Sequence, residues 1–329
     1  MRAFVGILIV VFAIVPALGQ LPDFYTEVDS VTWVVKDLDS VIKGWQELGF
    51  PAAELLSQGP AQSSFRGEAN EFSARVAIGY LGQYRVLWIQ PESQGNAFSE
   101  FLQKNGEGVF SLNYAVDSPS QLNQEVSRLE SLGVDTLQKM TLKSGSGELE
   151  FVSLDTVEGG TLALALVRGA IFGTLPQDAA PLGMRAVQYA FVVEKIQPAS
   201  DYWERLGFPK MQVTHGPLTD LTYRGKPAQF DQYLGWQRHG KIVFEWIESI
   251  QGPNVYLEHL AAHGEGFHHL AFMVEDMDKA VAYFDSRGIP CSQSGGWGEK
   301  GKSGSGRFAY IDTASIGGVT VELLWNYPD

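Results

Sequence analysis

Two hydrophobic periods alternate along the chain. Four times, a short run with every second residue apolar gives way to a charged turn and then to apolar residues three and four apart. The stretches are VDSVTWVVKDLDSVIKGWQELGF (28–50), VFSLNYAVDSPSQLNQEVSRLESLGV (109–134), MRAVQYAFVVEKIQPASDYWERLGF (184–208) and GEGFHHLAFMVEDMDKAVAYFDSRGI (264–289). Period two predicts a half-buried strand, and period 3.6 predicts an amphipathic helix. Shorter strand-like runs follow each helix, the last being YRVLWIQ, TLALALV, KIVFEWIE and VTVELLW. The plan is an α+β chain of four βαβββ modules.

The modules repeat in pairs. Trp45-Gln46-Glu47-Leu48-Gly49-Phe50-Pro51 recurs as Trp203-Glu204-Arg205-Leu206-Gly207-Phe208-Pro209, at an offset of 158 residues. Gly106-Glu107-Gly108 recurs as Gly264-Glu265-Gly266, and Gly159-Gly160 as Gly317-Gly318, at the same offset; KSGSG from Lys143 recurs from Lys302 at 159. Several matches in one order at one spacing indicate duplication. Residues 24–168 and 184–327 are read as homologous halves, and the Gly-, Pro- and Ala-rich stretch 169–183 as their linker.

Composition narrows the classes of function. With 329 residues and 45% hydrophobic content, the chain can build two ordinary cores. A net charge of −14 repels a phosphate backbone, so nucleic acid is not an expected partner and a small-molecule substrate is. Residues 1–19 stand apart. Arg2 precedes an apolar run from Ala3 to Val15, Pro16 breaks it, and Ala17-Leu18-Gly19 has the small-x-small form of a cleavage site. A cleaved signal peptide is expected, which leaves a secreted or periplasmic protein with no membrane attachment. An uncleaved anchor is the weaker reading, because the run is at the lower limit for a span. Cys291 is the single cysteine, so no intrachain disulfide can form.

GEGFHHLAFMVEDMDKAV, the ending FAYIDTASIGGVTVELLW, and VVKDLD followed by a helix ending in LGF resemble the vicinal oxygen chelate superfamily. That superfamily includes glyoxalase I, methylmalonyl-CoA epimerase, extradiol dioxygenases and bleomycin-resistance proteins. The resemblance implies that the modules pair into two glyoxalase-like domains, each a cupped sheet able to hold a metal inside. A four-module chain could close both cups within itself, so a monomer is expected.

The resemblance also implies where ligands lie: at the start of a module's first strand and in the middle of its last. In the C-terminal half these positions are Gln188, Glu245, His269 and Glu322. The alternation of residues agrees. His269, Ala271 and Met273 share one strand face, while Leu270, Phe272 and Val274 share the helix side. Glu245 stands between Phe244 and Trp246, and Glu322 between Val321 and Leu323, so each faces away from apolar neighbours. Carboxylates in such runs are costly to bury without a cation. One imidazole, two carboxylates and one amide oxygen suit a single divalent ion: Zn, Ni, Co, Mn or Fe(II).

The set resembles that of glyoxalase I more than the others, since Gln188 stands where a dioxygenase would have histidine. The implied activity is that of a lyase or isomerase working by proton transfer on a metal-chelated, small oxygenated substrate, with Glu245 or Glu322 as catalytic base. A ring-cleaving Fe(II) dioxygenase and a non-catalytic ligand-binding protein are the alternatives. The offset of 158 maps the four ligands onto Ser30, Leu87, Ser111 and Leu164, so the N-terminal half reads as a degenerate copy without metal ligands. Lys302 and Arg307, in the glycine-rich loop GEKGKSGSGR, are candidate contacts for an anionic part of a substrate. His268, alternating with His269, is read as structural or surface, and His259 and His263 as solvated.

Overall fold

The computed structural model describes residues 21–328; the expected signal peptide lies outside the described residues. Each half forms one ten-stranded sheet. In every module the first strand runs parallel beside the last: Ser30–Val34 beside Tyr84–Pro91, Gly108–Ala115 beside Ala163–Gly169, Arg185–Val193 beside Val243–Gln251, and Gly266–Met273 beside Thr320–Asn326. Modules join in pairs because their first strands meet antiparallel, Ser30–Val34 with Gly108–Ala115 and Arg185–Val193 with Gly266–Met273. A segment from the first module of each pair then reaches the far edge of the second. Ala61–Phe65 pairs with Thr136–Ser144, and Leu218–Tyr223 with Cys291–Trp297, curling each sheet into a cup.

The repeated Trp-x-x-Leu-Gly-Phe is a helix stop. The helix Leu38–Glu47 is followed by Gly49 at φ +88°, and the helix Ile196–Arg205 by Gly207 at φ +98°, a left-handed backbone that favours glycine. The amide of Phe50 then donates to the Trp45 carbonyl at 3.2 Å, and that of Phe208 to Trp203 at 3.0 Å, satisfying carbonyls the helix leaves open. The same residues pair as rings, with centroids 5.3 Å apart for Trp45–Phe50 and 5.0 Å for Trp203–Phe208.

The helix-bearing faces of the two sheets enclose one core shared by both halves, with Trp33, Trp45, Trp88, Phe191, Trp203 and Trp246 in it. Each cup has a separate apolar cluster of its own. One further helix closes the bottom of each cup: Ala97–Asn105 contributes Phe98 to the first, and Val255–His263 contributes Tyr256 to the second. These helices fall between modules and are additions to the βαβββ plan. Their starts are fixed by Asn96 and Asn254, whose side-chain oxygens accept from Ser99 N at 2.8 Å and Leu257 N at 2.9 Å.

Candidate metal centre in the C-terminal cup

The sheet brings Gln188, Glu245, His269 and Glu322 together on its concave face. Ala190 pairs with both Glu245 and His269, and Ala271 with Gln188 and Glu322, so the parallel and antiparallel registers align the four positions. Candidate ligand atoms of Glu245, His269 and Glu322 lie within 4.8 Å of one another. His269 Nε2 is 3.2 Å from Glu322 Oε2 and 3.6 Å from Glu245 Oε2. Gln188 Nε2 donates to Glu245 Oε2 at 2.6 Å, leaving its amide oxygen as the atom that could meet a cation. All four side chains are buried, His269 completely.

The electrostatics of this cluster are unfavourable by themselves. Burial, and then the charge of Glu322, push the Glu245 carboxyl well above the usual carboxylate range, with only the Gln188 bond pulling it down. Among the described residues, the ion-pair contacts of Glu245 and Glu322 are to His269, and none is to a lysine or arginine. His269 Nε2 and Glu322 Oε2 have no hydrogen-bond partner. Unpaired buried charges cost several kcal/mol each, roughly, even after relaxation. Orphaned donor atoms converging from an imidazole and two carboxylates fit a divalent ion.

His268 corrects the expectation from simple alternation. Ala190 pairs with His269 but Phe191 pairs with Phe267, so His268 is the extra residue of a β-bulge. The bulge puts both histidines on the cup side, while Phe267 and Leu270 join the core between the halves. His268 is buried, and its Nδ1 lies 2.8 Å from His269 Nδ1, so one of the two rings donates to the other. His259 is buried too, against His268 with ring centroids 5.0 Å apart, and is not the solvated residue expected.

A contribution from the other half was not foreseen. The hydroxyl of Tyr84 reaches through the shared core, accepts from Gln188 N at 3.1 Å, and lies 2.7 and 2.8 Å from the Gln188 and Ala271 carbonyls. It stands where the Gln188 strand skips a residue in its pairing.

The cup opens into a cavity of about 500 Å³ bordered by Gln188, Glu245 and Glu322. Lys302 and Arg307 do not line it. Lys302 is exposed, and Arg307 turns outward to Asp278 at 2.9 Å.

Residues 187–310 match the model of the Glyoxalase/Bleomycin resistance protein/Dioxygenase superfamily. The match lies within the C-terminal half, which is similar to this superfamily over those residues. Among solved structures, a triple mutant of 4-hydroxymandelate synthase from Streptomyces coelicolor is similar over 92% of both chains, at 15% identity and a TM-score of 0.60. A fusion of a xylose isomerase-like TIM barrel with 4-hydroxyphenylpyruvate dioxygenase matches 92% of this chain and 49% of its own, at 12% identity and a TM-score of 0.53. At such identities the likeness speaks for the fold alone. The likeness in fold covers both halves of the chain.

Proposed function

We propose that the C-terminal cup holds one divalent metal ion on Gln188, Glu245, His269 and Glu322, and that the protein is a metal-dependent lyase or isomerase. When bound, the ion would act as a Lewis acid toward vicinal oxygens of the substrate. The chain's own contribution is proton transfer α to a carbonyl. Glu322 is the better-placed base: its Oε2 has no partner, whereas Glu245 is held by the Gln188 amide. The observation that carries this reading is two buried carboxylates facing an imidazole whose Nε2 has no hydrogen-bond partner. Export from the cytoplasm, expected from residues 1–19, belongs to the same proposal.

Metal analysis of the purified mature protein tests the first part. About one equivalent of Zn, Ni, Co, Mn or Fe is expected in the wild type and none in His269→Ala. Wild-type protein that takes up none of these ions refutes the metal centre. Glu322→Gln should keep the metal and lose turnover; retained activity in both Glu322→Gln and Glu245→Gln overturns the proton-transfer mechanism. Oxygen uptake with a catechol and Fe(II) would move the chain to the ring-cleaving dioxygenase reading. Single histidine ligation does not favour that reading.

A further inference from the structure

The cavity above the four candidate ligands has a definite chemical character. Its wall is largely apolar and includes Trp236, Trp297, Phe308, Leu218, Leu234 and Leu324. At about 500 Å³ it falls within the range of roughly 300–1,000 Å³ typical of clefts for drug-sized ligands. Among the described residues, no lysine or arginine lines it. His215, at the rim, is already engaged by Asp231, with Nε2 2.9 Å from a carboxylate oxygen. A divalent ion bound by two carboxylates would leave the floor of the cavity without net positive charge. An anionic group held against this wall, away from the ion, would therefore lose its hydration with nothing cationic to replace it.

One polar group on the wall is unused. Gln232, Leu234 and Trp236 alternate along the strand Asp231–Gln237 and all line the cavity. Gln232 is 94% buried, from a relative exposure of 6%, yet its side-chain oxygen has no hydrogen-bond partner. A buried acceptor left unpaired costs about 1–3 kcal/mol, which a ligand donor would recover.

We infer that the cup takes an uncharged substrate, carrying a flat apolar group for the tryptophan-rich wall and an N–H or O–H for Gln232. The inference rests on the metal-centre reading for the chelating end of the substrate. Its basis in the wall residues is independent of that reading. Glutathione adducts and acyl-CoA thioesters, both anionic, are excluded as good ligands.

Mandelamide and mandelate provide a matched pair of probes. Both carry a phenyl ring and vicinal oxygens, and they differ in an uncharged amide against a carboxylate. Their affinities are measured by calorimetry on zinc-loaded and on chelator-stripped wild-type protein, with zinc content determined in the same samples. Mandelamide is expected to bind at least tenfold tighter than mandelate to the stripped protein, where no ion draws the carboxylate. Gln232→Leu is expected to reduce mandelamide binding about tenfold while leaving zinc content unchanged and the thermal midpoint no lower. Mandelate binding as tightly or tighter to the stripped protein overturns the inference, as does a difference below threefold there or no binding of either probe. Absence of zinc uptake refutes the metal centre, and the preference is then judged on the stripped protein alone.

Discussion

The two cups share a backbone but handle burial of polar groups in opposite ways. Both carry the bulge that adds a residue to the second module's first strand, Phe110 in the first cup and His268 in the second. In the N-terminal cup the positions matching Gln188 and His269 are Ser30 and Ser111, and they join Thr32 and Asn113 in a satisfied network that the Ser30 hydroxyl links to the Asp29 carboxylate at 3.0 Å. Asn113 Nδ2 donates to Ser30 at 3.0 Å and Thr32 at 2.9 Å, and its oxygen accepts from Ser111 at 2.7 Å. The rest of that cup is filled by Val34, Leu87, Phe98, Phe110, Met140 and Phe151. The C-terminal cup instead keeps two carboxylates and an imidazole without adequate partners, beside an open cavity. A satisfied network rigidifies; an unsatisfied one at the mouth of a cavity marks the site where the chain gave up stability for binding.

Converting the second cup to the first should produce the largest effect. The triple change Glu245→Leu, Glu322→Ala, His269→Ser removes every ionisable candidate ligand. It is expected to abolish zinc binding and turnover while raising the stability of the metal-free protein by about 1–4 kcal/mol, since a buried ionic cluster is replaced by smaller neutral groups. Urea denaturation of stripped protein measures it, and a fall in stability would mean that the cluster is satisfied without metal. His268→Phe, copying Phe110, comes next. It removes the ring bonded to His269 Nδ1 at 2.8 Å and should weaken zinc about 10–100-fold with all four ligands in place. Unchanged zinc affinity would reduce His268 to a packing residue.

Much of this was legible in the sequence, and the misses are local. The family resemblance named Glu245, His269 and Glu322, and alternation agreed for the two carboxylates, because each sits between residues that the helix side buries. The duplication was legible because Trp-x-x-Leu-Gly-Phe serves as a helix stop in both halves. A constant offset failed in the last strand. His269 and Ser111 correspond, but Glu322 pairs beside Ala271 as Ala165 pairs beside Asn113, so Ala165 and not Leu164 is its counterpart. Leu164 faces the shared core. His268 was misplaced because a bulge breaks period two without a sequence signal as plain as glycine. Gln232 could have been found from the alternation in DQYLGWQ; Tyr84 could not, since its partners lie in the other half.

The cups should also differ in how they respond to pH. Glu245 titrates well above its ordinary 4.5 in the folded protein, so the native state binds more protons than the unfolded one above that pH. The metal-free protein therefore loses stability as pH rises from about 4.5 toward the raised value. Buried His259, lowered to about 3, and half-buried His239, lowered to about 4, work the other way. Their contribution is full above about 6.5 and is lost as pH falls toward those values. Zinc would hold Glu245 ionised and cancel the alkaline loss. The difference in denaturation midpoint between zinc-loaded and stripped protein should therefore widen steadily from pH 5 to pH 8. Parallel profiles with and without zinc would show that the carboxylate does not meet the ion.

The smallest effect tests whether the N-terminal half is merely an attached copy. Tyr84 belongs to the N-terminal half, yet its hydroxyl serves the backbone of Gln188 and the carbonyl of Ala271, beside two of the four candidate positions. Tyr84→Phe keeps the ring contacts to Tyr189 and Phe272, at 5.0 and 5.2 Å, and removes one buried oxygen. The Gln188 amide is then left without that acceptor, at a cost of about 1–3 kcal/mol. If the hydroxyl only joins the halves, the whole cost appears as lost stability and zinc affinity is unchanged. If it also sets the start of the Gln188 strand, part of the cost appears as weaker zinc binding, about three- to tenfold, with the Gln188→Ala background insensitive to the same change. We expect the second outcome, because the hydroxyl fills the one point where that strand skips a pairing residue just before its ligand. Calorimetric zinc titrations of the four proteins in the double-mutant cycle decide between the two.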